Sequence, residues 1–274
     1  MMKNILSLAI AFATFTVHAQ ELKLTTGQKI TNVSRSEMDM DMGMGGQMKM
    51  KSTTSNVIHI TGGDDKNFKA TNTITKMTMS QEGMGQSTEF DSDKKSDLDS
   101  EIGKAMAKEL NKAVDITVNK KSGKAAEANP EKETESDNDP MSGMMGGMGE
   151  KSAAGIATAA FFIIPTGKKP GDKWTESFSE AGMKGLRNYE LKSIDKDEAT
   201  IEIKSTSKGI ITKEVQGMQM EMNMNSKSES TLRTNINTGI VKKNSTSATM
   251  EGTMDIMGQS MPINMKMTTE IEVN

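Results

Sequence analysis

Over residues 29–50 the chain alternates apolar or small residues with charged ones. Ile30, Ser34, Ser36, Met38, Met40, Met42 and Met44 share one face, and Arg35, Glu37, Asp39 and Asp41 share the other. A repeat of two is the mark of a half-buried strand. Residues 52–60 read as a second strand. Gly62-Gly63-Asp64-Asp65 turns into a third over 68–79, and Gly83-Met84-Gly85 turns again toward Phe90. Over 96–114 the period changes: Leu98, Ile102, Met106 and Leu110 recur every fourth residue, and Ser96 with Asp99 resembles a capping box. This pattern predicts one central helix. Val114, Ile116 and Val118 then alternate into a Lys120-Lys121-Ser122-Gly123 turn.

Residues 129–150 lack branched and aromatic side chains and end in Met141-Ser142-Gly143-Met144-Met145-Gly146-Gly147-Met148, which reads as a disordered linker. A short helix is expected over 152–162, before Pro165. Strands follow at 188–193, 199–205, 210–225, 228–236, 240–254 and 262–273, with turns at Asp195-Lys196-Asp197 and Asn237-Thr238-Gly239. Long strands at short spacing predict a mainly β fold. The expected form is an antiparallel meander making a curved sheet or half-barrel, with one central helix and a disordered linker. The expected divisions are an N-terminal β region over 20–128 carrying the helix, the linker, and a C-terminal antiparallel β region over 151–274. Gly27-Gln28-Lys29-Ile30-Thr31 echoes Gly171-Asp172-Lys173-Trp174-Thr175. Two similar β halves and one continuous domain both fit.

The first residues add a compartment. Lys3, an apolar run over 5–17 and Val17-His18-Ala19 have the three parts of a cleavable signal peptide over 1–19, so a mature chain starting at Gln20 is expected. The expected localisation is the periplasm, the outer-membrane surface or the exterior. No later apolar run is long enough for a membrane-spanning helix. With no cysteine, disulfides and thiolate chemistry are excluded. A net charge of −3 makes nucleic acid an unexpected partner. Methionine supplies 27 residues while aromatics are 3%, so the apolar interior is built from flexible thioethers.

Several motifs together resemble a family of uncharacterised secreted bacterial proteins known only as a domain of unknown function, β-rich with Met-bearing strands. They are the Gly27-x-Lys29-x-Thr31 start, Met38-Asp39-Met40-Asp41-Met42, Asp91-Ser92-Asp93, the 118–124 hairpin, Pro170-Gly171-Asp172-Lys173-Trp174 and the 235–241 segment. The chain departs from it in the Gly/Met linker, where a longer helical segment is expected. The resemblance implies export and a β-rich fold, and no catalytic residue.

The inventory points away from catalysis. After the signal segment there is one histidine, His59, and there is no Gly-x-Ser-x-Gly, P-loop, dinucleotide fingerprint or His-Glu-x-x-His. Asp39/Asp41 and Asp91/Asp93 read as solvated carboxylates, and Asp137-Asn138-Asp139 lacks the Gly and distal Glu of a Ca²⁺ loop. No cofactor is expected. The reading is an exported, non-enzymatic envelope protein binding a hydrophobic small molecule or lipid. The alternative is soft-metal binding of Cu(I) or Ag(I) by thioethers of Met38, Met40, Met42, Met44, Met141, Met144, Met145 and Met148.

Overall fold

The alternation along the chain becomes long strands in the computed structural model, which describes residues 21–41, 43, 46–83, 85–128, 152–180, 182–215, 218–256 and 259–274. The first half holds β1 (Lys29–Asp41), β2 (Gln47–Gly63), β3 (Asn67–Gly83), β4 (Gln86–Asp91), β5 (Ala113–Asn119) and β6 (Ala125–Glu127). The second holds β7 (Lys173–Glu180), β8 (Met183–Asp195), β9 (Glu198–Val215), β10 (Met218–Asn235), β11 (Val241–Ile256) and β12 (Gln259–Val273). All pair antiparallel in one twelve-stranded open sheet, ordered β6-β5-β3-β2-β1-β12-β11-β10-β9-β8-β7, with β4 also on β3. β1 against β12 joins the halves, from Asn32↔Val273 to Asp41↔Asn264. The expected curved antiparallel meander is the observed fold.

Four local expectations are corrected. The strand read over 29–50 is a hairpin, because Met38 and Met40 pair with Met50 and Met48, and two arms facing the same way repeat one alternation. Gly43 takes the turn at φ +69°, its N–H donating to Asp41 Oδ1 at 2.9 Å. The strand read over 210–225 likewise ends at Val215, and β10 runs unbroken through Ser226. The central helix of 96–114 is two short pieces, α1 (Lys95–Leu98) and α2 (Glu101–Ala107). Ser100 is the cap that divides them, accepting from the Gly103 N–H at 2.9 Å. Asn111 then adopts φ 58° and β5 follows. Finally, β7 and the start of β8 were not expected. The linker 129–150 and the signal segment 1–19 lie outside the described residues.

A third helix, α3 (Ala153–Thr158), and the segment to Ile164 pack against one end of the sheet. Three buried asparagines help seat it. Asn56 donates to Asn72 Oδ1 at 2.7 Å, Asn72 donates to the Ala153 carbonyl at 2.8 Å, and Asn32 donates to the Ile156 carbonyl at 3.3 Å.

This connector also shows that the sheet curls. Ala125 of β6 donates to Thr158 Oγ1 at 2.9 Å, and Val241 of β11 donates to the Ala160 carbonyl at 2.9 Å. Two residues of extended chain plus those bonds reach about 18 Å. Six strand spacings separate β6 from β11, and in a flat sheet they would span about 29 Å. The face bearing Ile30, Ile58, Ile60, Ile116, Val118, Leu191, Ile201 and Val241 is therefore concave and wrapped on the connector.

Candidate functional site

The inner face changes character along the strands. At one end aliphatic side chains enclose the connector. At the other, Met38, Met40, Met222, Met224, Met254, Ile263 and Met265 form a second buried cluster, rimmed by Met48, Met50, Met183, Met250 and Met261. Every member of that cluster stands on the sheet itself. The strands approach closely here: a Cβ on Gly252 would lie 2.1 Å from the Asn223 carbonyl oxygen.

Between the two clusters the floor is small and polar. Ser228 has Ser205 and Ala248 as cross-strand partners and Ser226 and Ser230 on the same face of its own strand. Ser205, Ser226, Ser228, Ser230 and Thr246 are all half-buried. The row through Ser228 runs Arg187–Ser205–Ser228–Ala248–Met267–Met38, six strands wide.

Arg187 opens that row. Counting by twos from buried Tyr189 and Leu191 places Arg187, Gly185 and Met183 on the inner face, and Glu176 is the Arg187 partner on β7. Tyr189 OH donates to Glu176 Oε2 at 3.0 Å. Burial first, then the Glu176 charge, pushes the Tyr189 hydroxyl above its ordinary value, and Arg187 acts in the opposite sense. Trp174 stacks on Tyr189 with centroids 5.0 Å apart, Phe162 lies 5.9 Å from Tyr189, and Arg187 sits 4.1 Å over Phe178. An arginine, a carboxylate and four aromatic rings thus gather at one end of the serine row.

Of the methionines singled out by sequence, Met38 and Met40 are brought together in the second cluster. Met42, Met44, Met141, Met144, Met145 and Met148 lie outside the described residues. Strand β12 adds Met265 and Met267, which the sequence did not assign to the soft-metal set. Met50–Met38–Met267 and Met48–Met40–Met265 are two adjacent rows of direct partners. Asp39 and Asp41 are exposed on the outer face, and Asp93 pairs with Lys76. His59 faces away from buried Ile58 and Ile60. Among the described residues, no group of three or more His, Cys, Asp and Glu side chains is placed to hold a metal, and no helix is long and apolar enough to cross a membrane.

Residues 65–241 match DUF6263, a family of unknown function. The chain belongs to this family. The DUF6263 match takes in Glu176, Arg187, Tyr189 and the serine floor on β9 and β10, and runs from the start of β3 to the first residue of β11. No curated protein matches the sequence. Among solved structures, lipovitellin, described through its lipid–protein interactions, aligns at TM-score 0.52 and 10% identity, covering 92% of this chain. The chain spans a quarter of that protein's length (25%), and the likeness shows the fold alone. An outer-membrane channel from Pseudomonas putida F1 aligns at TM-score 0.27 and 7% identity, over 93% of this chain and 98% of the channel. OccK5 from Pseudomonas aeruginosa aligns at 0.26 and 7%, over 90% and 98%. Scores of that size bear no weight on the fold.

Proposed function

We propose that this is an exported, non-catalytic envelope protein that holds a lipid or other amphiphile on its inner face. The observation that carries the reading is the methionine end, where a buried apolar interior is enclosed by strands alone while the connector occupies the other end. Unbranched thioethers re-pack around guests of different shape more readily than branched side chains do. A polar head meets Arg187, Glu176 and Tyr189, and an acyl chain lies over Ser205, Ser228 and Ala248 toward Met267 and Met38. Five strand spacings give that floor a reach of roughly 24 Å. Lipovitellin agrees at the level of fold, which by itself does not fix function. Export rests on the Lys3, apolar run and Ala19 pattern.

Native mass spectrometry of the protein from its own envelope tests this. The expected spectrum contains a species heavier than the processed chain by one lipid, released by organic solvent. A spectrum of bare polypeptide from gently extracted envelope would overturn the reading.

A second reading has its own observation. The rows Met50–Met38–Met267 and Met48–Met40–Met265 set six thioethers on three adjacent strands, a soft donor set suited to Cu(I) or Ag(I). Leucine has no donor sulfur, and each Met→Leu swap costs under about 1.5 kcal/mol. Met38→Leu, Met40→Leu, Met48→Leu and Met50→Leu together should keep the fold and leave Cu(I) competition titrations without oxygen unchanged if these residues only line the apolar site. Sub-micromolar binding in the natural chain that the variant loses would establish the metal reading instead.

A further inference from the structure

Several charges on the outer face are paired across strands. Lys51 meets Glu37 at 3.1 Å, Lys204 meets Glu229 at 3.2 Å, and Arg35 meets Glu272 at 3.0 Å. One patch sets like charges side by side instead. Lys184 of β8 and Lys208 of β9 are direct cross-strand partners, and like charges placed opposite each other destabilise a sheet. Lys227 of β10 stands one step along, opposite Thr206. Among the described residues none of the three has an ion-pair partner. They line a shallow hollow of about 380 Å³ in which Glu251 is the one carboxylate. Leu186 lines the same hollow, 48% exposed, and Ile210, 52% exposed, stands two residues beyond Lys208 on the same face. These are the exposed large hydrophobic residues of the described chain.

We infer that this patch docks the protein on the surface of an anionic lipid bilayer. Three unpaired lysines on a chain of net charge −3 form a local positive field, complementary to an acidic surface. Leu186 and Ile210 supply what separates a bilayer from other anions, aliphatic side chains that enter the layer below the headgroups. The hollow lies on the methionine half of the strands, so docking brings that end of the inner face to the membrane. The inference stands whether or not the inner face holds a lipid.

The test is flotation of the full processed chain with vesicles of phosphatidylcholine alone and of equal parts phosphatidylcholine and phosphatidylglycerol. Binding is expected only to the anionic vesicles and should weaken as salt rises. Each lysine near such a surface strengthens binding about five-fold, so Lys184→Gln, Lys208→Gln and Lys227→Gln together should weaken it roughly a hundred-fold. Leu186→Ser with Ile210→Ser should weaken vesicle binding while leaving retention on a heparin column unchanged. All five side chains point outward, so circular dichroism should show folded variants. Equal binding to both vesicle types would overturn the inference, as would a triple lysine variant that still floats, or vesicle binding indifferent to Leu186→Ser and Ile210→Ser. Lipid retained on the inner face is read on the same variants by native mass spectrometry, so failure of docking and failure of the ligand reading are separable.

Discussion

Asn72→Ala lowers the melting temperature by roughly 5–15 °C. Asn72 is 1% exposed, takes a hydrogen bond from Asn56 and gives one to the Ala153 carbonyl. Alanine strands both partners in an apolar enclosure, and each buried polar group left unpaired costs about 1–3 kcal/mol. For a chain of this size 1 kcal/mol moves the midpoint by roughly 2–4 °C. The loss should concentrate at the connector, so hydrogen exchange at residues 153–164 should accelerate more than exchange in β10 or β11. Thermal unfolding within a degree of the natural chain would mean that the aliphatic core alone seats α3.

Ser228→Phe should abolish amphiphile binding with little effect on stability. Ser228 is surrounded by Ser205, Ala248, Ser226 and Ser230, so a phenyl ring there covers the serine row instead of colliding with a large neighbour. A fluorescent fatty-acid probe should bind the delipidated natural chain and lose at least about ten-fold affinity in the variant, a difference near 1.4 kcal/mol. Thr231→Phe, exposed on the outer face of the same strand, should leave probe affinity unchanged. Equal loss in both variants would point to a general effect on folding, and no loss in either would take the ligand off this floor.

Much of the fold could be read from the alternation because each strand carries its phase in its own residues. Ile58, Ile60, Ile201 and Val241 all lie buried where a period of two places them. The hairpin at residue 43 was hidden because Met38–Met40 and Met48–Met50 turn the same side chains inward on both arms. The period of four over 96–114 does not make one helix: the capping serine is Ser100 and not Ser96, and α2 ends at Ala107, before Leu110. The pairing of β1 with β12 depends on contacts between the two ends of the chain, which no local pattern encodes. The candidate site was read less well. Around β8 the usual order is reversed: Leu186 faces out at 48% exposure while Arg187 faces in. Extending the phase of Tyr189 and Leu191 backward by twos would have found Arg187, and an inward arginine is the kind of local conflict that marks a functional position. The serine floor carried no sequence signal, since Ser228 and Ser230 read as ordinary polar strand residues and Ser226 as a break between strands until their neighbours across the sheet are known.

If an acyl chain lies on the inner face, a photoactivatable fatty acid locates it at residue level. After irradiation and digestion, labelled peptides from β10 and β11 are sequenced by tandem mass spectrometry. Inner and outer side chains alternate on these strands, so the label reports the face directly. Saturable labelling is expected at Met224, Ser226, Ser228, Ala248 and Met250, displaced by unlabelled fatty acid. Labelling at Lys227, Glu229, Thr249 and Glu251, or labelling that does not saturate, would contradict it.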